Sequence, residues 1–89
     1  MSKVEIYTKD YCPHCKVAKA TLGNLGLTFE EFDVTRDTAL ENKMRVRSQR
    51  RTVPQIFIDD VHIGGNDDLQ SLLSNGALEE ALKINASTA

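Results

Sequence analysis

Val4-Glu5-Ile6-Tyr7-Thr8-Lys9-Asp10-Tyr11-Cys12-Pro13-His14-Cys15 carries a short β-prone run into a polar loop and then to the chain's only two cysteines. A disulfide between cysteines this close closes too short a loop to restrict the unfolded chain much, so a purely structural bridge explains the pair poorly. The Cys-x-x-Cys spacing is that of a redox site. Pro13 suits the first turn of a helix, where a missing N–H costs nothing, and this puts Cys12 at the N-cap. Helix N–H groups and the helix dipole favour its thiolate there, with Lys9 and Lys16 adding positive charge. Cys12 is the expected attacking thiol. Cys15, one turn in and expected to be less exposed, is the resolving one. His14 presents a ring beside the attacking sulfur. A zinc knuckle would need a second ligand couple from a separate loop, yet outside the motif only His62 remains, expected at the surface of a hairpin.

Downstream, Ala18, Leu22 and Leu25 repeat at helical spacing until Gly26 offers a stop. Residues 27–34 read as a second strand with Leu27, Phe29, Phe32 and Val34 as apolar contacts, although Glu30-Glu31 breaks the alternation. Thr35 or Asp37 starts a second helix through Ser48, with Leu40, Met44 and Arg47 on one face. Its end gathers Lys43, Arg45, Arg47, Arg50 and Arg51, leaving six basic against thirteen acidic residues elsewhere. Two readings stay open for it, a solvated helix face and a rim for anionic substrates. Gln55-Ile56-Phe57-Ile58, a turn at Asp59-Asp60 and Val61-His62-Ile63 form a hairpin ended by Gly64-Gly65. Asn66-Asp67-Asp68 opens a third helix with Leu69, Leu72 and Leu73 inside, and Asp67 and Gln70 have capping-box spacing. Residues 77–84 form a last short helix and 85–89 a frayed tail.

The order β-α-β-α-β-β-α predicts an α/β domain with a four-stranded mixed sheet: two parallel strands, the hairpin added antiparallel, and helices on both faces. That is a thioredoxin-type sheet. Eighty-nine residues make one small domain, 1–89 with its core at about 3–84. The net charge of −2 excludes the basicity of a nucleic-acid binder. No apolar run approaches the ~20 residues of a membrane span, and Glu5 interrupts what a signal peptide would need. A cytoplasmic, monomeric protein without nucleic-acid or membrane partners is expected, and in a reducing compartment a lone Cys-x-x-Cys is catalytic or metal-binding.

Cys12-Pro13-His14-Cys15 after an N-terminal strand, Thr52-Val53-Pro54 before a hairpin and Gly64-Gly65-Asn66-Asp67-Asp68 after it resemble the three signatures of glutaredoxin, most closely the short bacterial dithiol kind. The resemblance implies a glutathione-dependent oxidoreductase that reduces protein disulfides and glutathione mixed disulfides, with glutathione as co-substrate and no resident metal. It implies that Pro54 is cis and that Val53 pairs with glutathione as an added strand. The N–H groups of Asn66 and Asp67 would take the γ-glutamyl carboxylate, the Asp67 side chain the ammonium, and Gly65 would allow close approach. Lys9 would take the glycyl carboxylate, with Arg47, Arg50 and Arg51 as further candidates. Tyr11 and His14 would flank the sulfur, and Thr52 would border the bound peptide. Disulfide-containing or glutathionylated proteins are the implied partners, ribonucleotide reductase among them. The family's alternative role is an iron–sulfur cluster carrier through Cys12 and glutathione, which Pro13 and a second cysteine disfavour.

His14 departs from the tyrosine of many dithiol glutaredoxins, and Asn66 from their cysteine or serine. Cys-Pro-His-Cys resembles instead the motif of the oxidant DsbA, whose attacking cysteine has a pKa of ~3.5 against ~7 in thioredoxin. A potential above the family's range of about −200 to −230 mV is therefore expected.

Overall fold

The structure, a computed structural model, describes residues 3–78. Four strands and three helices follow in the order β1 (Val4–Thr8), α1 (Pro13–Asn24), β2 (Phe29–Asp33), α2 (Thr38–Ser48), β3 (Gln55–Ile58), β4 (Val61–Gly64) and α3 (Asn66–Asn75). The sheet order is β2-β1-β3-β4, with β1 parallel to β2 and the other two pairings antiparallel. This is the expected thioredoxin fold. Of the expected last helix, Ala77 and Leu78 are helical; its remainder and the tail 85–89 lie outside the described residues.

The alternation in β1 sorts two buried faces, not one buried and one wet face. Val4 and Ile6 join Ile56 and Ile58 against Ala18, Leu22 and Leu69 from α1 and α3. Tyr7 joins Phe57 on the opposite face, under Met44 of α2 and beside Val34. Glu5 shares this second face and is only 5% exposed. Such a carboxylate needs a cation, and Arg47 supplies it at 3.2 Å while donating to the Tyr7 hydroxyl at 2.9 Å and lying 3.9 Å over the Phe57 ring. Desolvation of Arg47 is outweighed by these partners, which hold its pKa above the ordinary guanidinium value. Arg47 is thus a core clamp, in correction of its candidacy for a glutathione carboxylate.

Local chemistry sets the boundaries. Helix α1 ends in a Schellman motif, with Leu27 N–H donating to Leu22 O and Gly26 N–H to Gly23 O, and Gly26 at φ +74°. The chain reversal leaves Leu25 43% exposed and turns Leu27 inward, so Leu25 is not the core residue its spacing implied. Asp37 caps α2 through Leu40 N–H at 3.0 Å. In the hairpin turn Asp59 and Asp60 both adopt positive φ, 49° and 69°, as a two-residue connection with primed-turn geometry requires. Strand β2 is shorter than expected: Leu27 and Val34 pack just outside it, while its central Glu30 and Glu31 remain exposed.

His62 is half-buried rather than at the surface, its ring 5.1 Å from that of Phe57 and Nε2 2.7 Å from Gln55 Oε1. Burial, then the Arg50 cation, lowers its pKa below the ordinary 6.5, with Asp68 opposing. A histidine with a lowered folded-state pKa leaves the unfolded chain binding more protons as pH falls through 6.5, so stability declines there and levels off below the folded value. The carboxylates of Glu31, Asp33 and Asp68, also lowered, lose their contributions only as pH falls below about 5, so the two windows separate. The urea midpoint is expected to fall between pH 7.5 and 5.5, and His62→Gln to flatten that fall; an unchanged slope would remove His62 as its cause.

Candidate active site

Cys12 is the N-cap of α1, extended at φ −96°, ψ 110°, and Pro13 follows at the first helical position. Both cysteines are free thiols, Cys12 8% and Cys15 1% exposed. The Cys12 sulfur accepts the Cys15 N–H at 3.1 Å, one of the N–H groups that a helix start leaves without a carbonyl. As a thiol, Cys12 donates to the Val53 carbonyl at 3.7 Å. Loss of its proton removes that bond and keeps the N–H donor. Burial, reinforced by a hydrogen bond to Cys12, pushes the Cys15 thiol up to about 12. Cys15 therefore stays protonated at neutral pH and does not compete as nucleophile.

The Val53–Pro54 bond is cis, as expected. Val53 and Pro54 line a cleft of ≈ 200 Å³ together with Thr52 and with His14 from between the two cysteines. Gly65, Asn66, Asp67, Asp68 and Arg50 complete the lining, Gly65 lying against the Pro54 carbonyl. Cys12 lies just off this lining but touches it through Val53. Of the expected glutathione contacts, His14, Arg50, Thr52, Val53, Pro54, Gly65, Asn66 and Asp67 thus come together around one space. Lys9 and Tyr11 do not line it. Lys9 pairs with Glu41 at 3.5 Å and lies 6.0 Å from the centre of the Tyr11 ring, which is 69% exposed. Burial lowers the Lys9 pKa less than Tyr11 and Glu41 raise it, so its net shift is upward. Arg51 lines a separate basic groove instead.

The start of α3 corrects the expected cap. Gly65, not Asp67, is the N-cap, and Asp68 three residues on accepts the Gly65 N–H at 2.9 Å. The same Asp68 oxygen holds Arg50 Nη1 at 2.9 Å. The Gly65 N–H first, then Arg50, keep the Asp68 carboxyl below the usual carboxylate range. Gln70 instead donates to Thr21 Oγ1 at 3.1 Å and Asn66 Oδ1 at 3.2 Å. Asp68 is the site residue that the sequence reading missed; counting the capping spacing from Gly65, an acceptable N-cap residue, would have found it. With Asp68 serving Gly65, the N–H groups of Asn66 and Asp67 remain in the first turn, where no helical carbonyl precedes them. The cleft therefore combines a sulfur nucleophile at its margin, the backbone of Val53 and Pro54, and a helix start whose free N–H groups suit an anion.

The glutaredoxin family model matches residues 4–63. Glutaredoxin 3 of Escherichia coli K12 is 51% identical over 83 residues, spanning 93% of this chain and 100% of the relative. The solution structure of glutaredoxin from Brucella melitensis superposes with a TM-score of 0.80 at 47% identity, covering 91% of this chain and 88% of that one. A buckwheat glutaredoxin–glutathione complex superposes with a TM-score of 0.83 at 26% identity, covering 92% of this chain and 77% of that one. Among the described residues no helix is long and apolar enough to cross a membrane.

Proposed function

The chain belongs to the glutaredoxin family and is a thiol–disulfide oxidoreductase, and on that footing we propose how its own residues divide the work. The observation that carries the proposal is Cys12 at the N-cap of α1, against a Val53 carbonyl on the wall of a cleft that ends at the start of α3. The Cys12 thiolate attacks the glutathionyl sulfur of a mixed disulfide. A Cys12–glutathione disulfide forms, and the former partner leaves as a thiolate that takes up a proton. A second glutathione thiolate then attacks the glutathionyl sulfur, forming glutathione disulfide and restoring Cys12. With a protein disulfide, Cys12 forms the mixed disulfide and Cys15 attacks the Cys12 sulfur, its proton passing to the leaving thiolate. Two glutathiones then reduce the Cys12–Cys15 bridge.

Glutathione lies extended along Thr52 and Val53, its main chain paired with Val53 as an added strand. The N–H groups of Asn66 and Asp67 receive the γ-glutamyl carboxylate and the Asp67 side chain its ammonium, with Arg50 adding positive potential from its seat on Asp68. Gly65 keeps the floor low, since a Cβ there would already stand 3.3 Å from Pro54 O. Lys9 takes the glycyl carboxylate in exchange for Glu41, and Tyr11 and His14 flank the sulfur. The protein works as a monomer in the cytoplasm, with ribonucleotide reductase among its clients. The test is steady-state reduction of a small glutathione mixed disulfide, coupled to glutathione reductase and NADPH. NADPH consumption that saturates with mixed disulfide is expected, and its absence would overturn the proposal.

His14, exposed at the cleft, is proposed to raise the reduction potential by stabilising the reduced thiolate form. His14→Tyr is expected to lower the potential by about 10–30 mV, a shift of ~2- to 10-fold in the equilibrium with glutathione. Equal potentials in glutathione redox buffers would remove that role.

A further inference from the structure

A second concavity, ≈ 240 Å³, lies beside the glutathione cleft and is lined by Arg45, Gln49, Arg50 and Arg51. Arg50 is common to both. Between residues 43 and 51 there are five basic residues and no acidic one, in a chain whose net charge is −2. One of the five, Arg47, is consumed by Glu5 and Tyr7, and Arg50 is seated on Asp68. Among the described residues no carboxylate lies within ion-pair distance of Lys43, Arg45 or Arg51. Cations in the last turn of a helix complement its dipole, which accounts in part for Arg45 and Arg47 but not for Arg50 and Arg51, placed beyond the helix. Gln49, left-handed at φ 59°, ends the helix and starts the turn that carries these two arginines to the groove. Val46 stands 73% exposed beside Gln49 on the outer face of α2.

We propose that this groove is a docking site for an acidic polypeptide segment flanking the target sulfur of a protein client, with Arg45 and Arg51 as the recognising cations. The proposal rests on the oxidoreductase reading and adds a substrate class to it. Because Arg50 lines both spaces, a segment bound in the cleft beside Arg50 is positioned to continue into the groove. Charge complementarity there raises the encounter rate and favours clients with acidic flanks, and Val46 offers an apolar contact suited to a peptide. The chain's excess of acidic residues elsewhere works against nucleic acid as the occupant, since a long polyanion would meet repulsion beyond the groove.

The test compares three glutathionylated peptides, with acidic, neutral and basic flanks, against a small glutathione mixed disulfide, using the natural protein, Arg45→Gln and Arg45→Glu. In low salt, kcat/KM for the acidic peptide is expected to fall about 2- to 5-fold in Arg45→Gln and about 5- to 20-fold in Arg45→Glu. The preference of the natural protein for the acidic peptide should shrink as salt shortens the Debye length below ~10 Å. Turnover of the small disulfide should not change. Equal losses for all three peptides, or no preference in the natural protein while the small disulfide turns over, would overturn the docking site alone. Competition by an oligonucleotide stronger than by the unglutathionylated acidic peptide would also overturn it. Failure to turn over even the small disulfide would instead overturn the oxidoreductase reading.

Discussion

Cys12→Ser is expected to lower turnover of both glutathione mixed disulfides and protein disulfides by at least about 10³-fold, because no other described group offers a sulfur nucleophile at the cleft. Cys15→Ser separates the two activities. The mixed-disulfide route uses only Cys12 and glutathione, so it persists in that variant. The dithiol route needs Cys15 to attack the Cys12 sulfur, so most protein-disulfide reduction is lost. The asymmetry follows from position: Cys12 caps α1 and accepts an N–H at 3.1 Å, whereas the buried Cys15 thiol is pushed up to about 12. A serine at position 15 retains the backbone N–H that faces Cys12, so the nucleophile keeps its donor. The coupled glutathione reductase assay reads the first activity, and reduction of a protein disulfide under the same conditions reads the second. Loss of both in Cys15→Ser would show that the roles are assigned the wrong way round.

Gly64→Ala is expected to cost about 2–4 kcal/mol of stability and to weaken glutathione binding at the same time. Gly64 ends β4 at φ +125°, just after an irregularity in the β3–β4 register where Ile56 faces Gly64 but Phe57 faces His62. An alanine there is strained by the backbone alone. Its Cβ would also run into the Asp68 carboxylate, with Asp68 Cβ only 2.8 Å away. Asp68 cannot give way cheaply, since moving it releases both the Gly65 N–H and Arg50. Stability and the cleft therefore fail together: the urea midpoint falls and KM for the mixed disulfide rises. Gly23→Ala is the matched control, because its Cβ meets nothing within 4 Å inside α1. It is expected to be neutral or stabilising by up to about 1 kcal/mol. If Gly64→Ala unfolds at the same urea concentration as the natural protein, the steric account of this junction is wrong.

The first prediction rests on residues legible in the sequence, whereas the second joins a legible one, Gly64, to one that was not. Cys12 and Cys15 announced themselves by spacing, and Asp68 was hidden behind Asp67. Much of the fold was likewise open to reading, because the signals are local. Pro13 after Cys12, the Gly26 stop, the Asp37 cap and the Asp59-Asp60 turn each act within a few residues, and strand or helix follows from periodicity. The same local signals misled where the chain reverses at once, as at Leu25, which is turned outward while Leu27 folds back in its place.

Sequence by itself determined the redox pair at a helix start, the order of elements and, through three separated motifs, the family. It also held the basic run 43–51, but not which of its members were available. Tertiary structure alone decided that Arg47 is taken by the buried Glu5, that Arg50 is seated on Asp68 at the cleft, and that Lys9 stands outside it beside Glu41. The physical reason is that a charge finds its partner across strands and helices far apart in the chain, and the pairing depends on sheet register and helix placement rather than on neighbours in sequence. Glu5 and Arg47 meet because both faces of β1 are covered, which leaves a buried carboxylate that α2 approaches with Arg47 at 3.2 Å, closer than the neighbouring Lys3 at 3.8 Å.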